Sequence, residues 1–141
     1  MKQSKILNAI LFVSGLVGIV VGGGMLFSPV EFHATSGVLL DGSTNLNNEM
    51  RAAGGPILVG GIIIVAAAFF ERLRFAATLM SGAFYLSYGS ARIVSIMIDG
   101  MPSTALIQIT GLEISMGIVL LTALYFLSTR EPTHAGRNAS R

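Results

Sequence analysis

Four long apolar stretches leave this chain little choice of fold. The first runs from Ile6 to about Phe27 and the second from Ala52 to Phe70, neither with a charged residue. The third, Phe75 to Ile98, is broken only by Arg92, and the fourth, about Thr104 to Leu127, only by Glu113. Each approaches or exceeds the roughly 20 residues that a helix needs to cross ~30 Å of hydrocarbon. A segment in lipid must satisfy its own backbone, which leaves helices or closed barrels. The period-2 alternation of barrel strands is missing, so helices are predicted at about 6–27, 49–70, 74–98 and 103–127. The reading is an all-α, four-helix transmembrane bundle of antiparallel up-down topology over residues 1–128, with a polar tail over 129–141.

Composition excludes the competing classes. Of 141 residues, 52% are hydrophobic and 11% charged, against ~25% charged in an average soluble domain. So few charges cannot cover a small soluble core, and the mean hydropathy of +0.74 agrees. High apolar content with a net charge of only +2 also excludes disorder. There is no cysteine, hence no disulfide, thiolate nucleophile, iron–sulfur cluster or cysteine zinc site. His33 and His134 are too few and too far apart to suggest a metal or haem site, so no cofactor is expected. The basic residues stand in ones and twos without forming a patch, which argues against a nucleic-acid partner. Lys2 and Lys5 resemble the start of a signal peptide, but the apolar run is long and no clean A-x-A site follows it. The segment is therefore expected to be retained.

Topology follows from the lysines and arginines that flank the spans. One side would hold Lys2, Lys5, Arg72, Arg74, Arg130, Arg137 and Arg141 against Glu71 and Glu131. The other would hold Glu31, Asp41, Glu49 and Asp99 against Arg51. Both termini are thus expected in the cytoplasm, and the sequon at Asn138 would lie on the wrong side for glycosylation. Glu71 to Arg74 reads as a tight cytoplasmic link. Asp99-Gly100-Met101-Pro102 reads as a tight outer turn, with Gly100 suited to a left-handed cap and Pro102 to a helix start. The outer segment from Ser28 to Asn48 is the one long connection, and Val30, Phe32, Val38, Leu39 and Leu40 make it too apolar to lie bare in water. A short interfacial helix or an ordered lid is expected there. Asn45, Asn47 or Asn48 would cap the second span ahead of Glu49, with Pro56 in its first turns.

Small residues recur at helical spacing. Gly15, Gly18 and Gly22 share a face of the first span, and the second carries Gly54, Gly55, Gly60 and Gly61. In lipid such residues let helix backbones approach closely, here within the bundle or, alternatively, across a dimer face. The two intramembrane charges are the sharpest signal, because a charge inside a span is unfavourable and faces the bundle interior or a cavity. Counted from the outer turn, Arg92 lies roughly 10 Å deep and Glu113 roughly 16 Å, at 1.5 Å per residue. They sit on antiparallel neighbours and are expected to pair. Ser81, Tyr85, Tyr88, Arg92, Ser95 and Asp99 form one polar stripe. In the last span Thr104, Gln108, Gly111, Ser115 and Thr122 line one face, and Thr110, Glu113 and Gly117 another. The candidate site is an outward-opening polar cluster of Glu49, Arg51, Tyr85, Tyr88, Arg92, Asp99 and Glu113. The bland alternative is an ion pair that only fixes helix register.

Three motifs carry a resemblance. Glu49-Met50-Arg51-Ala52-Ala53-Gly54-Gly55, then Ala91-Arg92-Ile93-Val94-Ser95 with Asp99-Gly100-Met101-Pro102, then Leu112-Glu113 resemble a family of small bacterial four-span proteins catalogued as domain of unknown function 4345. That family is similar in layout to DoxX-type membrane proteins. The chain departs from it at Ala91, where a glycine is expected before the arginine. The resemblance covers about Ile6 to Leu127 and implies a four-helix bundle in the bacterial inner membrane with a polar cluster and no assigned reaction. DoxX relatives include subunits associated with quinone-linked oxidoreductases, but no redox group is visible here.

The function expected is a binding or accessory protein. Its partners would be the lipid bilayer and a small amphipathic ligand such as a lipid or quinone head group. A transporter or proton-coupled component, built as a homo-oligomer, is the alternative; a structural subunit of a membrane complex is a third. An enzyme is not expected, since no nucleophile–base pair or metal site can be assembled.

Overall fold

The computed structural model describes residues 5–128, with side chains through Phe126. Lys2, His134, the sequon at Asn138 and the charges of the tail from Arg130 to Arg141 lie outside the described residues. Within them the chain is helical and has no strand. The elements are α1 (Lys5–Phe27), a short α2 (Pro29–Ala34), α3 (Thr44–Phe69), α4 (Glu71–Asp99) and α5 (Thr104–Ser128). Three helices are long and apolar enough to cross a membrane: α1, α3 and α5 from Thr104 to Phe126. At 29 residues α4 is the longest, but Ser81, Tyr85, Ser87, Tyr88, Ser90 and Arg92 dilute its apolar character below that of the others.

Several boundaries differ from the sequence expectation, each for a local reason. The second long helix starts five residues before Glu49, at Thr44. Its cap is Ser43, whose Oγ accepts the Leu46 N–H at 3.3 Å, and not one of the asparagines. The Ser43 N–H in turn donates to Asp41 Oδ1 at 2.9 Å, which holds that carboxyl below the usual value of 3.8. Because α3 starts early, Pro56 falls well inside the helix rather than in its first turns. The missing N–H is tolerable there, as in other apolar helices whose neighbours compensate. At the other end of the molecule Phe70 is the only residue between α3 and α4, in an extended conformation that reverses the chain. Gly100 caps α4 with φ 94°, as its missing Cβ allows. Ser103, not Pro102, receives the start of α5: its carbonyl accepts the Ile107 N–H at 3.1 Å and its hydroxyl the Leu106 N–H at 3.4 Å.

The long connection is ordered. Helix α2 lies within it, and the Phe32 ring occupies the space that a side chain at position 24 would fill, against Gly24 of α1. The chain leaves α2 through Gly37, φ 77°, beside Ser103. There the Ser103 hydroxyl donates to the Ser36 carbonyl at 2.8 Å and ties the loop to the start of α5.

The helices pack as two antiparallel pairs, α1 along α3 and α4 along α5. Glycines set the first pair. A Cβ on Gly15 would lie 2.6 Å from Val65 N, and one on Gly61 2.6 Å from Ile19 N, so the two backbones are in direct contact. Of the four glycines in α3, Gly54 and Gly61 serve this contact, whereas Gly55 and Gly60 face open space. The second pair interlocks small against large, with Gly82 under Leu121, Gly89 under Ile114 and Gly117 under Leu86. The apolar core joining both pairs consists of Leu7, Leu11, Ala67, Ala68, Ala77 and Leu120, all towards the Lys5 end. Towards the other end interior packing thins: α4 has no buried residue after Gly89, and α5 none before Thr110. Large apolar side chains such as Val20, Ile62, Met80 and Phe126 remain exposed along the outside, as a surface solvated by lipid requires.

Glu71 to Arg74, expected as a tight link, is instead the first turn of α4. Arg74 keeps the end of the molecule expected of it, but its side chain is 2% exposed, among the largest fully buried groups. Its Nη1 pairs with Glu71 Oε1 at 3.1 Å, while its Nε is buried with no hydrogen bond among the described residues. The helix turn between Glu71 and Thr78 points Arg74 inwards because the Phe70 reversal brings the start of α4 against the end of α3.

Candidate functional site

Arg92 and Glu113 meet. Arg92 Nε donates to Glu113 Oε2 at 2.9 Å, and the side chains are 33% and 11% exposed. Their depths from the outer turn differ by about one helical turn, and the long arginine side chain bridges it, as the spacing predicts. Gly89 under Ile114 and Gly117 under Leu86 bring α4 and α5 close together, each about one turn further from the outer turn than the charge on its own helix. The guanidinium is engaged through one nitrogen only. Neither Nη1 nor Nη2 of Arg92, nor Oε1 of Glu113, makes a hydrogen bond among the described residues. These atoms are also not sealed in: the buried, unpartnered side-chain atoms among the described residues are Asn8 Oδ1, Asn47 Oδ1 and Arg74 Nε.

Tyr85 lies about two helical turns deeper than Arg92 on α4. Its hydroxyl donates to the Ser14 carbonyl at 3.1 Å, and the Ser14 and Ser81 hydroxyls lie 3.3 Å apart. These two contacts link α1 and α4 through polar groups.

The other sequence-predicted residues are not gathered with the pair. Arg51 donates to the Leu26 and Phe27 carbonyls at the end of α1, where a cation compensates the exposed C-terminal carbonyls. Asp99 accepts from the Ser95 hydroxyl at 2.9 Å on its own helix. Tyr88 leans on Phe84, ring centroids 5.3 Å apart, and faces outwards. Glu49 is exposed at the start of α3. On α5 the Thr110, Glu113 and Gly117 face is buried, whereas Gln108, Ser115 and Thr122 point outwards. The Thr110 and Ser115 hydroxyls are taken up by the carbonyls of Leu106 and Gly111 on their own helix.

Two features escaped the sequence reading. Ser14 stands alone in an apolar run, and nothing in the sequence marks it as the partner of Ser81 and Tyr85. The stripe on α4 also continues inwards past Ser81 to Thr78, Arg74 and Glu71, all at the same spacing of three and four. That spacing is visible in the sequence, and the stripe read from Ser81 to Asp99 stops short of it. No group of three or more His, Cys, Asp or Glu able to hold a metal ion exists among the described residues.

Residues 6–124 match the family described as Domain of unknown function (DUF4345). The chain belongs to this family. The matched region contains Arg92, Glu113 and all three motifs quoted above. No curated protein and no solved structure matches the chain.

Proposed function

We propose that this DUF4345 chain is a four-span protein of the bacterial inner membrane, similar in layout to DoxX-type proteins. In this reading it is not an enzyme; it binds a small amphipathic molecule at the Arg92–Glu113 pair. The observation that carries the reading is the half-used ion pair. A pair that served register alone is best closed, since every unmet donor in a low-dielectric site is unfavourable. Here three polar atoms are left accessible where the interior packing thins. The fourth span is α4, whose charges are turned inwards at Arg74 and Arg92. Orientation is supported by the sorting of described charges. Lys5, Glu71, Arg72 and Arg74 share one end, and Glu31, Asp41, Glu49, Arg51 and Asp99 the other. The basic end faces the cytoplasm. Leu73→Cys should then be labelled by an impermeant thiol reagent only after the membrane is opened, and Leu39→Cys in intact cells. The reverse pattern overturns the orientation.

A second reading, a proton-coupled component, draws on the polar stripe running inwards from Arg92 to Arg74. Tyr85 weighs against it. Its one proton is donated to a backbone carbonyl, which cannot pass it on.

Arg92→Lys tests the binding reading, because a lysine keeps the charge and the pairing but lacks the planar fork. Delipidated protein in mixed micelles receives the organic extract of its source membranes. The melting temperature of the wild type should rise by about 5 °C, the scale of a ligand well above its Kd. Arg92→Lys should melt near the ligand-free wild type and gain nothing. Equal gains in both proteins, or none in the wild type, overturn the reading.

A further inference from the structure

We infer that the head group taken at Arg92 and Glu113 is uncharged and offers both a hydrogen-bond acceptor and a donor, a carbonyl beside a hydroxyl on a single-chain amphiphile. This inference rests on the binding reading above and names the ligand's chemistry. Its first ground is charge. Arg92 and Glu113 sum to zero, and a further unit charge brought beside them inside the bundle is left uncompensated, which is strongly unfavourable in low dielectric. The neighbouring charged groups do not supply the missing partner. Arg51 is engaged at the end of α1, Asp99 bonds Ser95 at the far end of α4, and Arg74 pairs with Glu71 at the opposite end of the bundle. An anion would meet Arg92 and be repelled by Glu113, and a cation the reverse. Either would pull the pair apart.

The second ground is the inventory of free groups. Arg92 offers N–H donors at Nη1 and Nη2, and Glu113 offers one acceptor, Oε1. The protons of the nearby hydroxyls of Tyr85, Ser95 and Thr110 are already donated, to the Ser14 carbonyl, Asp99 and the Leu106 carbonyl. The complement of a donor fork beside one carboxylate oxygen is a head with an acceptor and a hydroxyl. At roughly 10 Å below the outer turn, such a head lies under the head groups of the bilayer. Its chain can then follow the apolar outer surface past Ile93 and Leu112, both exposed.

Three amphiphiles with one chain and different heads test this: monoolein, oleate and oleylamine. Each is titrated into delipidated protein in mixed micelles at pH 7.5, with binding followed by calorimetry. Wild-type protein should bind monoolein at least tenfold more tightly than either charged analogue. Arg92→Lys should lose at least tenfold of that affinity. Glu113→Gln, which leaves the site with a net positive charge, should shift preference towards oleate, an effect that a merely structural role would not produce. Tighter wild-type binding of oleate or oleylamine, or equal binding of all three, overturns the inference while leaving the site standing. If the membrane extract stabilises the protein and none of the three binds, the uncharged hydroxy-carbonyl head is wrong and the binding reading survives. If the extract also has no effect, both fall.

Discussion

Arg92→Ala or Glu113→Ala alone is expected to lower the stability of the solubilised protein by about 3 kcal/mol, and the double Arg92→Leu/Glu113→Leu change by less than either. A single substitution strands a charge between α4 and α5. Glu113 keeps 11% of its side-chain surface and Arg92 33%, so the loss falls at the lower end of the range for buried pairs. The double change removes both charges and fills the space with apolar groups, which a membrane bundle accepts. A double-mutant cycle, read from unfolding in a denaturing detergent, isolates the coupling. A coupling near zero would mean that the 2.9 Å contact contributes nothing, and the separate environments of the two residues would then explain their presence.

The second large effect belongs to the α1–α3 contact. Gly22→Ala should cost about 3 kcal/mol, the upper end for overpacking. A Cβ there would overlap the Leu58 backbone nitrogen, and it would lie 2.7 Å from Leu58 Cα and 2.8 Å from the Gly54 carbonyl. Backbone atoms cannot swing aside as a side chain does, so the helices must separate along their length. Gly60→Ala is the control. Nothing lies within 4 Å of a Cβ at that position, and alanine is the better helix former by about 1 kcal/mol. Gly60→Ala should therefore leave the melting temperature unchanged or raise it. If both substitutions behave alike, the close approach of α1 and α3 is not what holds them together.

These two expectations differ in how far they could be read without coordinates. The apolar stretches determine helices by themselves, because lipid leaves a backbone only helices or closed barrels and the alternation of barrel strands is missing. The rarity of charge within long apolar stretches singles out Arg92 and Glu113, and the short turn at Gly100 places them on neighbouring helices. Their pairing was therefore legible from hydropathy and chain length alone. The glycines announced a close contact, but only the packing decided that Gly54 and Gly61 make it while Gly55 and Gly60 do not. Helical spacing alone does not say which side of α3 faces α1. Arg51 shows the same limit. Proximity along the chain put it in the polar cluster, whereas the end of α1, more than twenty residues earlier, presents the carbonyls that it caps. Arg74 shows it from the other end of the bundle. Hydropathy gives its position near the end of a helix but not its burial, and the reversal at Phe70 turns it inwards. The sequence by itself determined where the four long helices run to within a few residues, and that Arg92 and Glu113 lie well inside two of them. The tertiary structure decided which faces meet, because that depends on how two pairs of helices settle against one another, a long-range packing outcome that no local pattern encodes.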